Sequence, residues 1–142
     1  LEIIDNIRKE PVKKEGMKFD DNKLQWHLLP MDAIEEEIKV LMVGVEKYLP
    51  NNWQKVPDGI IRYINASFRH LSEIVKMLNE DKTLEDISEM KDPDTGLHPL
   101  AHIACDIHFA LSLLSKYNSF DDEIWKRRIK EIREEYSEER NR

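Results

Sequence analysis

The sequence has 142 residues, 36% of them charged and 40% hydrophobic, with only 4 Gly and 6 Pro, a balance that suits one domain built of helices and disfavours a turn-rich β-sandwich. Its 29 acids against 22 bases leave a net charge of −7, which argues against nonspecific binding to duplex nucleic acid. A lone cysteine, Cys105, excludes an intrachain disulfide framework and a Cys-based zinc finger. No apolar run reaches the ~18 residues of a membrane span, and no signal-peptide core opens the sequence, so a cytoplasmic protein without a membrane partner is expected.

Residues 1–30 are mixed in character. Ile3, Ile4 and Ile7 make a short helical stripe that breaks at Glu10-Pro11. An ordered polar loop, Gly16 to Lys23, then runs into Leu24-Gln25-Trp26-His27-Leu28-Leu29-Pro30, which is too apolar for a linker. From Met31 to about Tyr48 the pattern is helical, with Ile34, Ile38, Leu41, Val45 and Tyr48 in one wedge of roughly 80°. Glu37 borders that wedge beside Gly44, while Val40 and Val43 point the opposite way and suggest a second contact surface. After a loop containing Trp53 and the turn Pro57-Asp58-Gly59, a second helix spans about Ile60 to Asn79. Its Ile61, Ile64, Phe68, Leu71, Val75 and Leu78 form a seam for helix–helix packing, with His70 at the edge of that seam.

Residues 80–96 read as polar and irregular, with a helical turn at Leu84 and Ile87, ending in the turn-dense Asp92-Pro93-Asp94-Thr95-Gly96. A third long helix runs from about His98 to Tyr117 with Pro99 in its first turn. One of its faces carries Leu100, Ile103, Ala104, Ile107, Leu111 and Leu114; the other carries His98, His102, Asp106, Phe109 and Leu113. A helix apolar on two sides belongs at the centre of a bundle. Asp121 or Ser119 caps a last helix, where Trp125, Ile129, Ile132 and Tyr136 make a narrow stripe on a charged rod.

The strongest chemical constellation is His98, His102 and Asp106, which stack along one side of a helix over about 12 Å. Two of them can share a cation, and all three need help from another element. They are equally a polar seam, one histidine capping the helix and another bonded across helices. Glu37 stands apart from Glu35 and Glu36, whose place at a helix start explains them; a carboxylate facing a glycine gap can bind a cation or polarise water. Asp92 and Asp94 add carboxylates close to His98. Lys23, Lys47, Arg69 and His70 can neutralise phosphates, and the indoles of Trp26 and Trp53 can stack on a base. No glycine-rich phosphate loop, dinucleotide fingerprint or Gly-x-Ser-x-Gly occurs.

The order Asn22-Lys23, Trp26 with Leu29-Pro30, Gly44-x-Glu46-Lys47-Tyr48, Asn52-Trp53, Arg69-His70, Asp92-x-Asp94-x-Gly96-x-His98 and His102-x-x-x-Asp106 resembles the dATP/dGTP diphosphohydrolase N-terminal-domain family, frequent in bacteriophages. The resemblance covers about residues 16–115. It implies release of pyrophosphate from purine deoxynucleoside triphosphates with a divalent cation, magnesium or manganese. It also implies a looser kinship of activity with the MazG-like all-α pyrophosphohydrolases, whose Glu-Glu-x-x-Glu motif is broken here by Val40 after Glu36-Glu37. Glu89-x-x-Asp92 has the spacing of that group's second motif but falls in the polar stretch read as loop. Many family members carry Asn where this chain has Asp106.

These readings converge on an all-α bundle of about four helices with an ordered N-terminal loop segment. Residues 1–118 form a nucleotide-binding helical domain, and residues 119–142 an amphipathic helix that packs on it or on a partner in a homo-oligomer. The expected catalytic residues are Glu37, His102 and Asp106. Nucleotide binding is expected from Lys23, Trp26, Lys47, Trp53, Arg69 and His70, and metal ligation from Glu37, Asp94, His98, His102 and Asp106. The alternative is a nucleotide-binding protein that sequesters a nucleotide signal without hydrolysing it, as in phage counter-defence. A helical interaction module, suggested by the last helix, leaves the loop motifs unexplained.

Overall fold

The computed structural model describes residues 12, 15–118 and 120–142. The stripe Ile3, Ile4 and Ile7, the break at Glu10-Pro11, and Ser119 lie outside them. The described chain is all-helical, without a strand: α1 Met31–Lys47, α2 Gly59–Asn79, α3 Leu84–Ser88, α4 Pro99–Leu114 and α5 Asp122–Arg140, with short 3-10 turns at Trp26–Leu28 and Asn52–Lys55.

The helix boundaries follow local chemistry. Thr83 and Asp86 close a reciprocal capping box that gives α3 a defined start despite its five residues. His98 Nδ1 accepts the Leu100 N–H at the head of α4, and Pro99 occupies the first turn, where its missing N–H has no consequence. Asp121 caps α5 through the Glu123 N–H at 2.8 Å. Before α2, Asp58 adopts a left-handed conformation (φ 53°), and the helix opens on Gly59. A Cβ there would sit 3.0 Å from Leu113 Cδ1, so glycine lets α2 approach the end of α4 closely.

α4 is the hub. It packs along α2 as an antiparallel pair, Gly59 meeting Leu113, Tyr63 meeting Phe109 and His70 meeting His102, and it also carries α1. Ile74, Pro99, Ala101, Cys105, Ala110 and Leu113 are buried in these seams, together with Ser67 and the carboxylate-bearing Glu37.

Which face each helix turns inward differs from the expectation. On α1 the inward residues are Glu37, Val40, Val43 and Gly44, while Ile38, Leu41, Val45 and Tyr48 of the expected wedge stay exposed. On α2 the inward residues are Tyr63, Ala66, Ser67, His70, Ile74 and Met77, and the apolar seam Ile61, Ile64, Phe68, Leu71, Val75 and Leu78 is exposed throughout. The inward faces mix small residues that let helices approach (Gly44, Ala66, Ser67) with groups bonded or stacked across helices (Glu37 with His108, Tyr63 with Phe109, His70 with His102), and apolar spacing registers neither. Leu24, Trp26 and Leu28, placed in a segment too apolar for a linker, are also exposed. α5 builds no packing interface with α1, α2 or α4; its Arg133 shares a surface hollow with residues 20–27.

Candidate functional site

α1 and α2 both lie on α4 without packing on one another, which leaves a cleft of about 1020 Å³ between them, closed at one end by the 49–57 loop. Its floor is the α4 segment Asp106, His108, Phe109 and Ser112. One wall is Glu37, Leu41, Gly44 and Val45 of α1, and the other is Arg62, Tyr63, Ala66 and Arg69 of α2.

The end near the loop is aromatic. Trp53 stacks on Phe109 with ring centroids 4.7 Å apart and planes within 11°, and Tyr63 tilts against the same Phe109 at 5.1 Å. The Tyr63 hydroxyl donates to the Trp53 carbonyl oxygen at 3.1 Å, tying the loop to α2. Burial raises the Tyr63 pKa, so the phenol remains a donor.

Carboxylates line the opposite part. Burial pushes Asp106 up to about 6, with Arg69 opposing the shift. Glu37 is buried, and its Oε1 accepts from His108 Nδ1. In the neutral imidazole that bond places the proton on Nδ1 and leaves Nε2 as the acceptor, on a residue that lines the cleft. Cys105 donates to the Glu37 backbone oxygen at 3.5 Å, and burial raises its thiol to about 12, which makes it a packing residue and not a nucleophile.

A second polar cluster clasps the loop before α4. Asp92 Oδ1 accepts from the backbone of Asp94 (2.9 Å) and Thr95 (3.0 Å), and Gly96 (φ 73°) completes the turn. Burial acts to raise Asp92, but those N–H donors and the nearby imidazoles hold it below the usual carboxylate range. Thr95 Oγ1 and His102 Nε2 are 2.7 Å apart, His102 stacks on His70 at 5.2 Å, and Lys47 at the end of α1 pairs with Asp94. Burial lowers His102, against the attraction of Asp92, so this imidazole favours its neutral form.

The family scan matches residues 13–123 to the dATP/dGTP diphosphohydrolase N-terminal model. The chain belongs to that family. A dATP/dGTP diphosphohydrolase of Salmonella phage PMBT28 is 33% identical over 120 residues, covering 84% of this chain and 37% of the relative. The chain therefore spans little more than a third of the length of that relative. No solved structure matches it.

In this diphosphohydrolase-family chain the expected site residues divide into separate groups. Glu37, Trp53, Arg69 and Asp106 meet in the cleft. Lys47, His70, Asp94 and His102 belong to the clasp around the 92–97 turn. His98 spends both ring nitrogens on the protein, donating from Nε2 to the Ile87 carbonyl at 2.7 Å and capping α4 with Nδ1, so it has no lone pair left for a metal. Lys23 and Trp26 line the hollow beside Arg133 and do not reach the cleft. Among the described residues no three His, Cys, Asp or Glu side chains are grouped to hold a metal ion. The expected stack of His98, His102 and Asp106 is thus three groups engaged with three different neighbours.

Four cleft residues escaped the sequence reading as site candidates: Arg62, Tyr63, His108 and Phe109. Tyr63 and Phe109 carry the ordinary signature of core residues. His108 is the one with a usable signal, since it stands one turn beyond Cys105 on an otherwise apolar helix; its partner Glu37 is 71 positions away.

Proposed function

We propose that the cleft is the nucleotide site of a diphosphohydrolase that converts a purine deoxynucleoside triphosphate and water to the monophosphate and pyrophosphate. The observation that carries this reading is the convergence, in one cleft, of an aromatic stack, two arginines and two carboxylates, one of them raised to about 6. The family and its phage relative named dATP/dGTP diphosphohydrolase support the substrate class.

In this reading the purine stacks beside Trp53 and Phe109, whose flat surfaces are matched to a base. Arg62 and Arg69 hold the phosphate chain through charge-assisted hydrogen bonds. Glu37 orients His108, whose Nε2 takes a proton from the attacking water. Water attacks the α phosphorus, the bridging P–O bond between the α and β phosphates breaks, and pyrophosphate leaves with that electron pair.

A divalent cation fits the residues present in a limited way. Magnesium needs only one or two protein carboxylates, the rest of its shell coming from phosphates and water. Asp106 suits that use, because its raised pKa marks a desolvated carboxylate that Arg69 leaves under-compensated. Glu37 lies on the same cleft wall. When bound, such an ion supplies charge neutralisation to the triphosphate oxygens.

Incubation with dATP, dGTP and their ribose and pyrimidine counterparts, with Mg²⁺ or Mn²⁺, followed by chromatography, tests the proposal. Monophosphate and pyrophosphate should appear with purine deoxynucleotides, and Glu37→Gln should abolish them. The incomplete acidic motif, with Val40 following Glu36-Glu37, favours one second reading, a nucleotide-sequestering protein. Intact nucleotide recovered only after denaturation would establish that reading and overturn hydrolysis.

A further inference from the structure

We propose, on the reading of the cleft as a nucleotide site, that Tyr63 is a positioning residue: its hydroxyl locks the base-stacking loop to α2, so that the purine sets the register of the phosphate chain against His108.

The geometry of the stack makes such a lock necessary. Trp53 and Phe109 have ring centroids 4.7 Å apart and planes within 11°, whereas a base between them would need two contacts of ~3.5 Å each. The purine therefore seats against the assembled pair and not inside it. Phe109 is carried by α4, but Trp53 belongs to the loop that joins the end of α1 to the start of α2. Those two helices do not pack on one another, so wall packing does not set where the loop lies.

Among the described residues two hydrogen bonds tie the 49–57 loop to a helix, and both come from neighbouring residues of α2. Arg62 Nη1 donates to the Pro57 carbonyl at 3.4 Å from an exposed position. The Tyr63 hydroxyl donates to the Trp53 carbonyl at 3.1 Å from a half-buried one. The second bond is shorter, better shielded from water, and acts on the stacking residue itself. The Tyr63 ring is held in turn. It leans on Phe109 at 5.1 Å, and a Cβ added at Gly59 would stand 3.4 Å from its Cε2. A ring wedged in this way delivers its hydroxyl to one place.

The same helix reaches the far end of the cleft. Arg69 follows Tyr63 by six residues, ~9 Å along the axis, and lines the same wall. α2 thus carries the loop lock and a phosphate-binding arginine on one rigid rod. Binding energy from a non-reacting part of a substrate raises the rate only when it orients the reacting atoms. A base held at a fixed distance from Arg69 does so, and a base on a loose loop does not. Removing the hydroxyl alone keeps Trp53, Phe109 and the Tyr63 ring, so stacking surface survives while orientation is lost.

Tyr63→Phe tests this with dGTP and with tripolyphosphate, which has the phosphate chain and no base. Circular dichroism should stay helical. Amide exchange at residues 52–56 of the free variant should quicken, with α2 and α4 unchanged. For dGTP, kcat should fall roughly 10–100-fold while KM changes less than about three-fold, and tripolyphosphate should inhibit variant and parent equally. A merely structural loss would weaken tripolyphosphate as well, and that result would overturn the proposal. So would an unchanged kcat, a loss confined to KM, or unchanged exchange at 52–56. Should the parent bind dGTP without hydrolysing it, the hydrolytic reading falls and amide exchange alone decides the lock: faster exchange at 52–56 in the variant upholds it, and equal exchange overturns it. A parent that binds no dGTP overturns both.

Discussion

Replacing Asp106 by Asn removes a charge that the fold holds under strain, and the substitution should stabilise the protein. The carboxyl is raised from 3.8 to about 6 because burial disfavours its ionised form, with Arg69 giving partial relief. Between those two values the folded state binds more protons than the unfolded one, so stability falls as pH rises through that window and stays reduced above it. A shift of roughly two units corresponds to about 3 kcal/mol, and discounting by half for partial solvent access leaves about 1–2 kcal/mol. In a domain of this size that is a rise in Tm of roughly 3–6 °C for Asp106→Asn at pH 7.5. At pH 3.5, where the native carboxyl is already neutral, the gain should vanish. Calorimetry of both proteins at the two pH values is the assay. An equal gain at both values, or none at pH 7.5, would refute the burial argument. If Asp106 serves the triphosphate and its cation, the stabilised variant should also lose most of the Tm increase that dGTP with Mg²⁺ produces in the parent.

Other outcomes follow from the same geometry. His108→Asn should lower kcat by about 10²–10⁴-fold with little change in KM, the pattern of a lost proton acceptor; an unchanged kcat would remove His108 from the chemistry. Trp53→Ala takes one ring from the stack with Phe109 and should weaken purine binding by roughly ten-fold, measured by calorimetric titration, with pyrimidine binding less affected. Gly59→Ala drives a methyl to 3.0 Å from Leu113 Cδ1 and should destabilise by about 1–3 kcal/mol in urea unfolding. Lys47→Met breaks an exposed, solvent-screened ion pair with Asp94 and should leave the urea midpoint essentially unchanged.

Helix type and placement were legible because capping and periodicity are local. Pro99 after His98, Asp121 before α5, and the three- and four-residue recurrence in α1, α2 and α4 each announce a helix without reference to the rest of the chain. The direction each helix faces was not legible. Ile61, Ile64 and Phe68 satisfy every periodic criterion for a core stripe, yet periodicity reports that a face is apolar and not what covers it. Ser67 and Ala66, which do face inward, look like surface residues to the same criterion. The site divided for a related reason. Asp106 stood out as an acid on an apolar helix and Glu37 as an acid bordering an apolar wedge beside Gly44, and both reach the cleft. His98 and His102 stood out equally and are consumed by capping and by the 92–97 turn, because spacing along one helix says nothing about which neighbour each side chain will meet. The Glu37–His108 bond joins residues 71 positions apart, a separation that no local pattern encodes.

Because α1 and α2 are joined through α4 and not to each other, the span between them is not set by any wall-to-wall packing. A ligand seated there becomes a keystone, bridging two parts that the polypeptide leaves unbridged. Amide exchange in α1 should then slow as the cleft fills, while the α2–α4 pair, already closed upon itself, changes little. The melting point of such a protein tracks the concentration of what it binds.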